Sequence, residues 1–360
     1  MTNKHGPEIG MLGAGFMART HSHAARVAGA RLEALAAGSP ESAARAAEEL
    51  GYAQSMDADE LISRGFPVVH VCTPNWSHVD FSRRALGAGS FVICEKPLAM
   101  SAADAAELAA EAEVRGNGGA VPFVYRYHPM VREARTRVAR GETGALFTVS
   151  GQYLQDWLLE ADDDNWRVAP GHGGPSRAFA DIGSHLVDLL EFVSGDRIAR
   201  LAAKTNTVHP TRGGKPVTTE DAIALIVEFA GGGIGSFLIS QVAPGRKNGL
   251  VIELAGSKES LRFEQEDPET LWVGRRGHSL LRRDPDSLSE DAARLCEVPA
   301  GHPQGYQDAF NAFVRDAYAA AQGERPEDLP TFADGARAAA LTDAVLESAR
   351  TLAWVEVSGA

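Results

Sequence analysis

Cysteine is scarce in this chain of 360 residues: Cys72, Cys94 and Cys296 are the full set. Three scattered thiols build neither a disulfide framework nor a zinc cluster. Cys72 and Cys94 sit in apolar runs and read as small core residues. Long apolar runs are missing too. None approaches the ~20 residues that cross a bilayer. Met1 to Gly10 carries neither an apolar signal core nor a twin arginine, so no export is expected. Positive charge is in deficit. A formal charge of -13 speaks against nucleic acid or an anionic membrane as partner. What these absences leave is a cytoplasmic globular protein. Its 44% apolar content and its length suit two domains with ample core.

The first third alternates strand and helix. Strands are expected at Glu8–Leu12, Arg31–Ala37, Pro67–Cys72 and Phe91–Cys94, with Ala120–Tyr125 as the last. Helices are expected at Phe16–Val27, Pro40–Leu50, Ser77–Ala88 and Ala102–Val114. Strict alternation implies a parallel, doubly wound sheet. Beyond about Arg140 the pattern becomes strand after strand, several joined by short turns such as Ala230-Gly231-Gly232-Gly233. Hairpin-length connections imply antiparallel pairing. The expected fold class is therefore α/β: an N-terminal Rossmann domain over 1–125, then an α+β domain over 126–360 with an open, mostly antiparallel sheet. One helix, Ile182–Val193, interrupts the strands, and the helices at Gln304–Ala321 and Asp334–Ala353 have the option of packing back on the first domain. One sheet face needs cover, which a second copy provides most simply, as a homodimer or homotetramer. The polar connection Trp157–Phe179 is long enough to be functional, and its two tryptophans favour a substrate-covering loop.

Gly13-Ala14-Gly15-Phe16-Met17-Ala18 has the GxGxxA pattern between a strand and a helix. The first glycine allows the turn, the second lets backbone approach a pyrophosphate, and the helix N-terminus faces the phosphates. The second strand ends in Ala36-Ala37-Gly38-Ser39, without the acid that marks a simple NAD site. Ser39 either caps a helix or bonds a ribose hydroxyl or phosphate, so NAD and NADP both remain open. Thr73-Pro74-Asn75-Trp76-Ser77-His78 follows a strand at a height that suits cofactor contact through Thr73, Asn75 and His78. Glu95-Lys96-Pro97 ends another apolar strand. A lysine there can stabilise a developing alkoxide, and Glu95 can hold the ribose or the lysine. Asp181, His185 and Asp188 are spaced i, i+4 and i+7, as on one helix face. His185 is a candidate general base, and Asp181 could fix its ring or pair with Lys96; the alternative on spacing alone is an ordinary N-capped amphipathic helix with a polar face. No metal is expected. His21 and His23 point different ways on a helix, and His172 and His185 lack partners at zinc spacing.

Taken in order, GMLGAGFMA, TPNWSH, EKP, YRYHP from Tyr125 and DIGSHLVD from Asp181 resemble the glucose-fructose oxidoreductase/inositol dehydrogenase (Gfo/Idh/MocA) family over nearly the whole length. The resemblance implies an oligomeric enzyme that oxidises a sugar or cyclitol hydroxyl with NAD(P), with a slight lean to NAD. It implies chemistry by a lysine, an aspartate and a histidine, here Lys96, Asp181 and His185, and a cis Lys96–Pro97 bond. A narrower likeness to the levoglucosan dehydrogenase group lies in GQYLQDW from Gly151, in Asn165-Trp166-Arg167 and in GHPQGY from Gly301, and points to a pyranose C3 hydroxyl. Arg126, Gln155, Asp156, Trp166 and Arg167 are candidate sugar or cofactor contacts. The rivals are an NADPH-dependent reductase of a keto-sugar or imine, and a non-catalytic NAD(P) or sugar sensor of the same fold.

Overall fold

The computed structural model of the protein describes residues 6–357 and 359. The chain divides into two compact units. One is the chain up to Val124 together with Gln307–Ala336, and the other is Tyr125–Tyr306 with the chain from Arg337 onward.

The first unit is built on six parallel strands: β1 (Glu8–Leu12), β2 (Arg31–Ala36), β3 (Gln54–Ser55), β4 (Val68–Val71), β5 (Phe91–Cys94) and β6 (Gly119–Ala120). Their order is β3-β2-β1-β4-β5-β6. The order reverses between β1 and β4, which creates a switch point at their carboxyl ends. β4 and β5 are buried at every position, as the apolar runs Val-Val-His-Val and Phe-Val-Ile-Cys require of central parallel strands. The helices carry their own punctuation. Ser39 caps Pro40–Leu50 in a reciprocal box with Ser42, and Gly51 closes that helix at a φ of 67°.

The expected strand Ala120–Tyr125 is cut short. Only Gly119–Ala120 pairs with β5. Pro122 has no N–H to give a ladder, the Val121 N–H turns to the Pro330 carbonyl at 3.0 Å, and Val124–Tyr127 winds into a 3-10 turn.

The second unit carries a nine-stranded sheet. Its strands are β7 (Leu146–Leu154), β8 (Ile198–Asn206), β11 (Ala222–Phe229), β12 (Ile234–Ser240), β13 (Gly249–Gly256), β14 (Ser260–Glu264), β15 (Thr270–Gly274), β16 (His278–Arg282) and β17 (Val355–Glu356), in the order β16-β15-β14-β13-β7-β12-β11-β8-β17. A separate hairpin pairs β9 (Thr211–Arg212) with β10 (Lys215–Pro216). All neighbours in the large sheet run antiparallel except β7 and β12, which are parallel. Several short elements, that hairpin among them, escape a reading of the sequence, and three others of this unit do so for visible reasons. The helix Pro129–Ala139 is masked by its four charged residues, β16 by its polar ends, and β17 by its length of two residues.

The inner sheet face packs on the helix Ser184–Ser194. Ile223, Leu225, Val227, Phe237 and Ile239 join Leu186, Leu189 and Leu190 in one core. Each fully buried side chain of this kind contributes about 1.5–3 kcal/mol. The close approach is fixed at Gly151, where a Cβ would sit 3.1 Å from Leu190 Cδ1. The outer face stays bare: Phe147, Ile226, Ile234 and Leu238 are exposed. A hollow of about 770 Å³ on that face is lined by Gln152, Lys204, Ile226, Leu238 and Arg262, among others. No helix among the described residues is long and apolar enough to cross a membrane.

Candidate active site

The glycine turn after β1 divides its work between two residues. Gly13 has a φ of +120°, and a Cβ there would meet the Cys72 carbonyl oxygen at 2.4 Å. Only glycine fits that close crossing of two strand ends. Gly15 has nothing within 4 Å of its would-be Cβ. It precedes the helix Phe16–Val27, whose N-terminus has no side-chain cap and no acid in its first turn. Those N–H groups and that open space fit a dinucleotide pyrophosphate. Phe16 is exposed and Met17 half-buried beside them. Ser39 serves its helix: its Oγ accepts the Ser42 N–H at 3.2 Å.

The turns after β4 and β5 are tied together. The Ser77 hydroxyl donates to Thr73 Oγ1 at 2.7 Å. His78 is buried, and its ring nitrogens lie 2.7 Å from the Pro97 carbonyl oxygen and 2.8 Å from that of Thr73. Burial pushes the His78 pKa down, and the two carbonyls oppose that effect. Asn75 is buried in the same turn. The Lys96–Pro97 peptide bond is cis. Glu95 is buried, and its carboxylate accepts the Lys96 backbone N–H at 3.1 Å. Lys96 is thus presented on a turn braced from both sides at the carboxyl end of β5.

In the second unit, Asp181 and His185 do not share one continuous α-helix. Phe179–Gly183 forms a π-helical turn, and the α-helix begins at Ser184. The wide turn is seeded by Glu220. One oxygen of that buried carboxylate accepts the Ser176 hydroxyl at 2.7 Å and the N–H groups of Arg177 and Phe179 at 3.0 Å each. Such turns recur at functional sites. Asp181 accepts the Gln241 Nε2–H at 2.8 Å, and its other oxygen lies 3.6 Å from Arg167 Nε. His185 is buried, with the Tyr125 ring edge-on at 5.1 Å. Tyr125 in turn bonds Tyr153 at 2.6 Å, and Tyr153 donates to Asn248 at 2.5 Å. Burial raises both phenol pKa values, that of Tyr153 well above the ordinary value. Both phenols therefore stay neutral beside the imidazole.

The remaining candidates occupy defined places. Arg126 is buried and paired with Asp188, so the third residue of the i, i+4, i+7 set anchors an arginine. Gln155 accepts the Trp157 indole N–H at 2.9 Å. Asp156 pairs with Lys247 at 2.6 Å, and that ammonium holds its carboxyl below the usual range. Asn165 caps a short 3-10 turn in which the Arg167 guanidinium stacks on Trp166 at 4.4 Å. The structure thus brings Arg167 to Asp181. It adds Gln241, Tyr125, Tyr153 and Asn248, which spacing alone does not flag. Tyr125 lies inside the YRYHP stretch, whereas Gln241 is marked only by its place just past the end of β12.

Comparison with known proteins bears on both units. Residues 8–122 match the oxidoreductase family with an NAD-binding Rossmann fold, and residues 131–262 match the GFO/IDH/MocA C-terminal domain. Levoglucosan dehydrogenase of Pseudarthrobacter phenanthrenivorans is 29% identical over 97% of each chain. A solved structure of levoglucosan dehydrogenase in complex with NADH and levoglucosan superposes with a TM-score of 0.92, at 29% identity, over 98% of this chain and 100% of the other. An oxidoreductase domain protein from Kribbella flavida is 36% identical, with a TM-score of 0.90 over 99% and 100% of the two chains. Glucose-6-phosphate 3-dehydrogenase of Bacillus subtilis is 25% identical over 92% of this chain and 93% of its own.

Proposed function

Because the chain belongs to the Gfo/Idh/MocA oxidoreductase family, we propose that it oxidises a secondary hydroxyl of a sugar, anhydrosugar or cyclitol with NAD(P)+, the pyranose C3 hydroxyl being the favoured position. The observation that carries this reading is Lys96, held on a braced turn at the carboxyl end of β5, in the same unit as a helix N-terminus open to a pyrophosphate. The names of two relatives, levoglucosan dehydrogenase and glucose-6-phosphate 3-dehydrogenase, support the substrate class. The lean to NAD rests on the NADH-bound neighbour.

The bound nicotinamide supplies the hydride acceptor. Lys96 donates a hydrogen bond to the substrate hydroxyl and stabilises the alkoxide as its charge develops. His185 takes the hydroxyl proton while the carbinol C–H bond breaks and the carbonyl forms. Asp181, itself held by Gln241 and Arg167, orients the ammonium and the imidazole. Arg126 keeps the histidine's helix in place through Asp188. Gln155, Asp156, Trp166 and Arg167 offer the polar and aromatic surfaces that carbohydrates prefer. A second copy of the chain covers the bare outer sheet face, as a homodimer or homotetramer. The setting is the cytoplasm, which suits the free thiols of Cys72, Cys94 and Cys296.

The test is coenzyme reduction with a panel of levoglucosan, glucose and myo-inositol, using NAD+ and NADP+ in turn. Lys96→Ala and His185→Ala should each lower kcat by ~10²-fold or more while coenzyme affinity holds. Near-normal kcat in both variants removes the assignment. Turnover only of keto-sugars with NADPH would favour the reductase, and no turnover in either direction would favour a sensor.

A further inference from the structure

The first unit holds a train of four buried polar side chains, of which the proposed chemistry uses only Glu95. Glu95 Oε1 lies 3.0 Å from His21 Nε2, His21 Nδ1 lies 2.8 Å from His70 Nδ1, and His70 Nε2 lies 2.8 Å from the Tyr318 hydroxyl. The four come from four elements: the end of β5, the helix Phe16–Val27, β4, and the helix Tyr306–Ala321. None is more than 5% exposed. Phe310 packs on His21 with ring centroids 4.7 Å apart, so the train runs through an apolar sheath.

Its polarity follows from one end. Among the described residues, the Tyr318 hydroxyl has His70 Nε2 as its hydrogen-bond partner. Burial keeps the phenol protonated and the His70 ring neutral. With that one partner the phenol O–H is satisfied only by donating, so Nε2 of His70 accepts. The one proton of His70 is then on Nδ1, which donates to Nδ1 of His21. The proton of His21 is left on Nε2, which donates to Glu95. The other oxygen of Glu95 accepts the N–H of Lys96 at 3.1 Å. Each link fixes the next tautomer, and the last link is the turn that bears the lysine. Apolar side chains of similar volume would fill the same space without the desolvation cost of three polar ones.

We infer that His21, His70 and Tyr318 are positioning residues that act through Glu95: they keep its carboxylate an acceptor for the Lys96 backbone and so fix where the lysine side chain starts. This rests on the reading that Lys96 touches the substrate. Titratable groups that face Glu95 among the described residues include His21, His78, Lys96, Cys72 and Cys94.

Two measurements test it. Nitrogen-15 NMR of the histidine rings in the full, coenzyme-free chain should show His70 as the Nδ1–H tautomer and His21 as the Nε2–H tautomer; the opposite pair overturns the inference. In kinetics with the panel sugar of highest rate, His21→Leu should lower kcat about tenfold or more, as a misplaced reacting group does. It should also move the acidic limb of the kcat profile to higher pH, with coenzyme affinity unchanged. His21→Gln, which can still offer Glu95 an N–H, should restore most of both. A folded His21→Leu with normal kcat and an unmoved limb overturns the inference. If His21→Leu fails to fold, Tyr318→Phe takes its place, and unchanged tautomers and kcat in that variant overturn it as well. The two readings fail separately. A fully active Lys96→Ala removes the proposed function on which this rests, while an inactive Lys96→Ala beside a normal His21→Leu removes this inference alone.

Discussion

Gly13 and Gly15 are the same residue type two positions apart, yet the structure gives them different duties. At Gly13 any side chain would strike the Cys72 carbonyl from a left-handed backbone. Gly13→Ala should therefore cost about 1–3 kcal/mol of stability, read as a lowered unfolding midpoint. At Gly15 the space beyond Cα is open, so Gly15→Ala should melt like the parent chain. Its methyl group would instead stand where the pyrophosphate approaches, weakening NAD+ binding about tenfold, or 1.4 kcal/mol, in a calorimetric titration. The GxGxxA spacing makes both glycines legible in the sequence, but it does not say which one serves the fold. The cap at Ser39 was equally legible, because a serine before Pro-Glu-Ser announces a helix start. The partner of Asp181 was not: Gln241 is 60 residues away, and only the sheet brings the two together.

At the level of elements, the helices and strands with clear punctuation were readable, and the departures have local causes. Pro122 ends the first sheet early. The Glu220 carboxylate, 41 residues from Phe179 in sequence, seeds the π-helical turn that no i, i+4 pattern reports. The long connection Trp157–Phe179 is pinned from outside itself. The Arg212 guanidinium donates to the carbonyls of Leu158, Glu160 and Asp163 at 2.7, 2.6 and 3.1 Å. Asp221, fully buried, pairs with both Arg177 and Arg212. Burial by itself would raise the Asp221 pKa, but the two guanidinium groups outweigh it and hold the carboxyl below its usual range. A depressed folded-state pKa stabilises the protein above the unfolded value near ~4 and ceases to do so as pH falls through the lower folded value. Asp221→Ala should cost about 3–5 kcal/mol at neutral pH, because it strands buried cations. In chemical denaturation the loss should shrink as the pH is taken below ~4, where the parent loses the same contribution. A pH-independent difference would show that the pair with Arg177 and Arg212 is not its source.

The two-part architecture of the whole molecule was readable from the change of pattern after about Arg140, since βα alternation and strand-after-strand sequence obey different periods. The bare outer face was readable too, because Ile226, Ile234 and Leu238 alternate with buried neighbours along their strands. If a second copy covers that face, Ile226→Glu with Leu238→Glu should leave a monomer by light scattering, while the single chain keeps its circular dichroism. An unchanged mass would place the contact elsewhere. Which sequence segments complete the first unit was harder to see, because nothing in Gln307–Ala336 has βα rhythm. Yet that stretch supplies Phe310 and Tyr318 to the histidine train, and Phe332 at Gly119. This has a consequence for biosynthesis. When the first 124 residues have left the ribosome, the nascent Rossmann sheet still lacks the segment that finishes it, and that segment is made only after Tyr125–Tyr306. The sheet of the first unit therefore closes only after most of the second has emerged, and the second needs residues made later still, so the two complete their folding interleaved rather than one after the other.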